Sequence, residues 1–162
     1  MNGMTTVSPT SENTASSGFI TLKRVALVLV VIGIFVTTYL SYLKVGQASA
    51  VCIEGAAFNC EVVLNSVYSE LFDIPIAYLG LIMYLTLGAL LLLEHRVGFL
   101  QEYGKIIMFG IALFAWVFSM YLVYLQFFVL QALCPWCLTH ETVMTILFGV
   151  ISVRLFRSLQ EE

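Results

Sequence analysis

The chain has 162 residues, of which 60% are hydrophobic and only 10% charged, and its mean hydropathy is +0.98. Those values exclude an ordinary soluble domain, where about a quarter of residues are charged. A net charge of -3 with no basic run excludes nucleic acid as a partner, and the length leaves room for about four membrane spans joined by short loops.

Residues 1–18 are rich in Ser, Thr and Asn and cannot bury enough apolar surface to order themselves, so a disordered tail is expected over 1–22. After Lys23-Arg24, residues 25–43 form an uncharged apolar run long enough, at ~1.5 Å per residue, to cross a ~30 Å hydrocarbon core. Residues 44–73 form the one sizeable polar loop, holding Cys52, Cys60, Glu54, Glu61, Glu70 and Asp73. Within it Val63, Leu64, Val67 and Leu71 recur at helical spacing, which predicts a short amphipathic helix lying on the bundle's rim, with Asn59 as its N-cap and Cys60 in its first turn.

A second uncharged run covers 74–93, opened by Pro75, where a missing N–H costs little. A charged connection is expected over 94–105 and a third span over 106–130, whose late aromatics Tyr121, Tyr124, Phe127 and Phe128 suit either an interface belt or plain lipid-facing packing. The fourth span is expected from Cys134 to about residue 153, with Pro135 in its first turn. The fold class that follows is all-α integral membrane: a four-transmembrane-helix bundle with a short amphipathic capping helix in the first outer loop. The membrane domain is expected over 23–157 and a tail over 158–162.

With four spans, Lys23, Arg24, Arg96, Lys105, Arg154 and Arg157 fall on one side and only Lys44 on the other. The positive-inside bias then places both termini in the cytoplasm, and both cysteine pairs, Cys52 with Cys60 and Cys134 with Cys137, at the outer face, where disulfides persist.

Cys134-Pro135-Trp136-Cys137 has the spacing of a redox pair, and a helix N-terminus stabilises a thiolate. The same spacing also serves a structural disulfide or half a metal site. Two dithiols at one membrane face can pass a disulfide between them by thiolate attack, in a direction set by their relative potentials. The electron sink expected for them is a diffusible membrane quinone, since the chain has no Gly-rich dinucleotide turn and no haem motif, and a quinone needs only an apolar slot between helices. Two further readings stand beside this one: a soft-metal-binding or transport protein using the two Cys pairs, and a scaffold with two inert disulfides.

The order of these elements resembles the vitamin K epoxide reductase family, in particular its bacterial and plant branch. The matching residues are Cys52 and Cys60 with seven residues between them, Ser66 six beyond Cys60, Pro75-x-Ala77-x-x-Gly80, Tyr84, and the Cys134–Cys137 pair opening the fourth span. The resemblance covers about residues 22–157. It implies a quinone-dependent membrane thiol oxidoreductase that oxidises a thioredoxin-like partner on the outer face, with ubiquinone, menaquinone, phylloquinone or plastoquinone as the acceptor. By position, Cys52 is similar to the family's outer shuttle cysteine, Cys60 to the one that relays to Cys134, and Cys137 to the one that faces the quinone. Ser66 is similar to a loop hydroxyl that assists the quinone step, its plainer role being a polar-face serine. Many bacterial relatives carry a fused thioredoxin-like domain. This chain stops at Glu162, so the expected partner is a separate protein, and the expected location is a bacterial inner membrane.

Two positions depart from the animal branch: Ile76 stands for an Asn and Glu141 for a Tyr, which favours simple quinone reduction over epoxide reduction. Glu141 is four residues after Cys137 and His140 three after it, so both lie on its helix face. Either can move protons during thiol or quinone chemistry, or both can sit wet at the interface.

Overall fold

The computed structural model describes residues 10–46 and 59–160. Helix α1 runs Thr10–Gly46, followed by α2 (Cys60–Leu64), a 3-10 turn (Val67–Ser69), the short strands β1 (Glu70–Leu71) and β2 (Ile74–Pro75), then α3 (Ile76–Leu93), α4 (Gly98–Tyr124), a π turn (Leu125–Val129) and α5 (Pro135–Gln160). Four of these segments, Ile20–Gly46, Ile76–Leu93, Gly98–Val129 and Pro135–Gln160, are long and apolar enough to cross a membrane. In a bilayer every backbone polar group must be satisfied within the segment, and uncharged runs of this length meet that demand as helices.

The four spans make an all-α membrane bundle in which α1 packs on α3 and α5, and α4 on α5. The shared core is built from Ala26 and Val30, Tyr84, Leu87 and Leu91, Met108 and Ala112, and Met144, Leu147 and Ile151. Outward-facing apolar side chains such as Phe35 (73% exposed) and Phe114 (77%) belong against lipid. One glycine is indispensable to the packing: the Tyr84 ring lies flat on Gly33, where any Cβ would overlap it.

Several boundaries differ from those read off the sequence. Helix α1 begins at Thr10, so the tail expected to be disordered over 1–22 is helical from residue 10; extending an existing helix avoids the cost of nucleation, and polar residues then add at little penalty. The charged connection expected over 94–105 shrinks because α4 already starts at Gly98. Helix α5 continues through Gln160, which takes most of the expected 158–162 tail into the fourth helix and carries Arg154 into the core.

The expected capping helix is also shorter than its hydrophobic spacing suggested. It stops at Leu64, where Asn65 caps it and Ser66 turns extended (φ -65°, ψ 153°), Asn and Ser being residues whose side chains compete with helix. Beyond the 3-10 turn, β1 and β2 pair antiparallel with Glu70 opposite Pro75 and Leu71 opposite Ile74. Phe72 (φ 54°) and Asp73 (φ 63°) both adopt the left-handed backbone that a two-residue hairpin turn demands. Of the four residues assigned to one apolar face, Val63 is buried whereas Val67 is 85% exposed.

At the end of the bundle near the start of α1, three helices are tied by charge. Glu94, at the C-cap of α3, receives Arg154 Nη2 of α5 at 2.9 Å on both carboxylate oxygens and Lys23 Nζ of α1 at 2.9 Å on Oε1. Burial alone would raise the Glu94 carboxyl, but the Lys23 hydrogen bond together with the charge and hydrogen bond of Arg154 outweighs it, and the group is held below its ordinary value of 4.5.

Candidate functional site

At the opposite end, Pro135 is the first residue of α5 and Cys134 stands just before it, as the sequence predicts. Both thiols of the pair are free, Cys134 fully buried and Cys137 half-buried. Cys134 caps the helix with its sulfur: the Cys137 N–H donates to Cys134 Sγ at 3.3 Å, and the Leu138 N–H donates to Cys134 O at 2.9 Å. The helix N-terminus therefore satisfies one orphan amide on this sulfur and another amide on the Cys134 carbonyl. The Cys134 thiol is held below its ordinary range, first by the hydrogen bond from the Cys137 thiol; burial opposes this, and the amides of Cys137 and Trp136 add to it. Trp136 packs its ring on Tyr39 of α1 at 4.6 Å between centroids, which fixes the turn against the bundle.

The turn is also held from behind by a residue the sequence reading did not single out. The π turn sets Gln126 inside the protein (4% exposed), where its Oε1 accepts the Cys134 N–H at 3.3 Å while its backbone oxygen accepts the Ala132 N–H at 3.2 Å. Such turns occur often at functional sites. The signal in the sequence was an isolated amide within the apolar third run.

The loop meets this turn. Asn59 caps α2 as expected, its Oδ1 accepting the Val62 N–H at 3.1 Å, and its own N–H donates to Leu133 O at 3.1 Å. Cys60 is thereby buried in one apolar cluster with Val63, Ala132 and Cys134, and it is disulfide-bonded. Cys52, the expected outer shuttle, lies outside the described residues. Lys44, at the end of α1, anchors the rest of the loop: its Nζ donates to Leu64 O (2.8 Å) and Ser69 Oγ (3.0 Å) and pairs with the Glu70 carboxylate at 3.0 Å.

Below this loop a cavity of about 440 Å³ opens between the helices, within the range of small-molecule sites. Its wall is apolar except at a few points, among them Ser66, Ser119, Cys137, His140 and Glu141. Ser66 faces it with its hydroxyl already donating to Val63 O at 2.9 Å. Glu141 is 6% exposed, so among the described residues it is enclosed by protein. His140 Nδ1 lies 3.4 Å from Glu141 Oε1, while His140 Nε2 and Glu141 Oε2 are buried with no hydrogen-bond partner. His140 also meets the Tyr84 ring edge-on at 5.6 Å, and Gly80 leaves room beside it. The structure thus brings Cys60, Cys134, Cys137, Ser66, His140 and Glu141 to one end of the bundle, with Ile76 in the same wall. Among the described residues, no three His, Cys, Asp or Glu side chains gather as metal ligands.

Four apolar spans, a capped dithiol at a helix N-terminus, a second cysteine packed against it and an apolar cavity beside the pair define a multi-pass membrane thiol oxidoreductase. The family model described as the vitamin K epoxide reductase family matches residues 24–152, and the chain belongs to that family. Its members are membrane oxidoreductases whose thiol chemistry is linked to quinone.

Proposed function

We propose that this protein generates disulfides: it oxidises a thioredoxin-like protein through Cys52 and Cys60, passes the electrons to Cys134 and Cys137, and delivers them to a membrane quinone. The observation that carries the reading is the burial of Cys60 in one cluster with Cys134, while Cys137, three residues on, forms part of the cavity wall. Cys60 is disulfide-bonded while Cys134 and Cys137 are free thiols, and a relay needs sulfurs of both redox states within reach of each other.

The cavity fits a quinone head group in volume and polarity: an apolar slot with a few polar residues in its wall, three of which carry an atom without a protein partner. When bound there, a quinone supplies a two-electron, two-proton acceptor. The residues of this chain do the rest. The helix N-terminus and the amides of Trp136 and Cys137 favour thiolate at Cys134, so its sulfur leaves readily when the Cys60–Cys134 mixed disulfide is resolved by Cys52. Cys137 presents the second sulfur at the cavity. Glu141, with His140 Nδ1 3.4 Å from its Oε1, stands in the cavity wall, and its carboxyl serves as the general acid. Ser66 positions the loop, its hydroxyl on Val63 O and its backbone oxygen on Ser69 Oγ. Helix ends rich in Lys and Arg support cytoplasmic termini and an outward-facing active end.

The test is quinone reduction driven either by a reduced thioredoxin-like protein or by a small dithiol. Cys52→Ser is expected to block the first and leave the second largely intact, and Cys137→Ser to abolish both. Equal loss of the small-dithiol reaction in the two variants overturns the assigned order of the relay.

A further inference from the structure

Within the described spans three serine or threonine side chains are buried: Thr37, Ser41 and Ser119. A buried serine or threonine in a helix ordinarily donates to the carbonyl one turn back. Thr37 does so to Gly33 O at 2.8 Å and Ser41 to Thr37 O at 2.7 Å, and the half-buried Ser152 repeats the pattern on Phe148 O at 2.8 Å. Ser119, 2% exposed on α4, makes no such bond, and its Oγ has no partner at all. A buried hydroxyl left unpaired costs about 1–3 kcal/mol, whereas alanine at the same place would cost nothing of the kind.

Ser119 faces the same cavity as Cys137, His140 and Glu141. Three unpaired polar atoms, Ser119 Oγ from α4 and His140 Nε2 and Glu141 Oε2 from α5, thus belong to residues that line one largely apolar space. A ligand that brought only hydrocarbon would leave all three unsatisfied, so an occupant that carries hydrogen-bonding atoms suits the site better. Ser119 offers an O–H, and it lies on a different helix from the thiol and the carboxyl.

We propose that Ser119 is a substrate-positioning residue, whose hydroxyl donates a hydrogen bond to a carbonyl oxygen of the quinone head group and so holds the ring against the α5 face that carries Cys137. This rests on the quinone reading above and names how that site distinguishes a quinone from a plain apolar ring. The hydroxyl takes no part in electron or proton transfer; it orients.

The experiment compares wild type, Ser119→Ala and Ser119→Thr in detergent, using 2-methyl-1,4-naphthoquinone and the carbonyl-free ring 2-methylnaphthalene as probes. Binding is read from tryptophan fluorescence, and kcat and KM for the quinone are measured with a small dithiol as donor. Loss of a neutral hydrogen bond is worth about 0.5–1.5 kcal/mol, so Ser119→Ala should weaken quinone binding and raise KM roughly 2- to 12-fold. Its affinity for 2-methylnaphthalene should match wild type, its Tm without ligand should be at least that of wild type because the unpaired hydroxyl is gone, and Ser119→Thr should restore quinone affinity. Wild-type quinone affinity in Ser119→Ala, or equal weakening toward both probes, overturns the role of Ser119 and leaves the quinone reading standing. A wild-type protein that binds neither probe overturns both.

Discussion

The two ends of the bundle treat buried polar groups in opposite ways. At one end Glu94 is met by Lys23 and by Arg154 on both oxygens, joining α1, α3 and α5. At the other, Ser119, His140 and Glu141 keep atoms without partners around a cavity, beside two free thiols. Satisfied charge makes a clamp, because removing one partner strands another in a low-dielectric setting. Unsatisfied polar atoms cost stability in the resting protein and are explained when something else comes to satisfy them. One end holds the helices; the other leaves buried polar atoms unpaired beside a cavity.

That contrast is most strongly tested at the clamp. Glu94→Gln leaves Arg154 facing a neutral amide and is expected to cost about 3–5 kcal/mol, seen as a lowered unfolding temperature in detergent. The pH dependence has a definite sign: because Glu94 lies below its ordinary 4.5 in the folded protein, its stabilisation is complete above that value and is lost as pH falls through the lowered one. The stability gap between wild type and Glu94→Gln should therefore close on acidification, and a gap that widens below pH ~4 contradicts the clamp. The thiol-to-quinone reaction measured on the folded variant should keep its wild-type kcat.

Glu141→Gln should do the reverse. It keeps the side chain's size but not its titration, so quinone reduction is expected to slow on the order of 10²-fold with little change in unfolding temperature. A wild-type rate would return Glu141 to a purely structural role and erase the functional asymmetry between the ends. The smallest effect belongs to Asn59, whose side chain caps α2 beside Cys60. Asn59→Ala should cost about 1 kcal/mol locally, read as a roughly 5-fold faster hydrogen exchange at the Val62 amide, while the clamp end stays unchanged. Spread of that effect to α3 and the Glu94 end would show that the two ends are one cooperative unit.

Much of the active end was legible from residue order. The Cys134–Cys137 spacing with Pro135 between predicts a capped helix start, and Asn59 before Cys60 predicts the cap of α2; both depend on chemistry within one turn of chain. The capping element differs beyond Leu64 because a 3.6-residue hydrophobic spacing over few residues does not exclude a hairpin, and Phe72, beside a turn-forming Asp73, is not a residue usually associated with left-handed turns. Glu94 and Arg154, 60 positions apart, look like loop charges until α5 is seen to continue past residue 153.

The sequence by itself determined the membrane class, the four spans, the family and the place of the Cys134–Cys137 pair at a helix start, since each follows from runs of hydrophobicity or from short spacings that local backbone geometry enforces. Only the tertiary structure decided which polar groups are paired. Gln126 reaches the Cys134 amide across a π turn, and Ser119 lacks a partner that its own helix could supply. Hydrogen-bond satisfaction depends on how helices distant in sequence close around a shared space, and no spacing within a single helix encodes that.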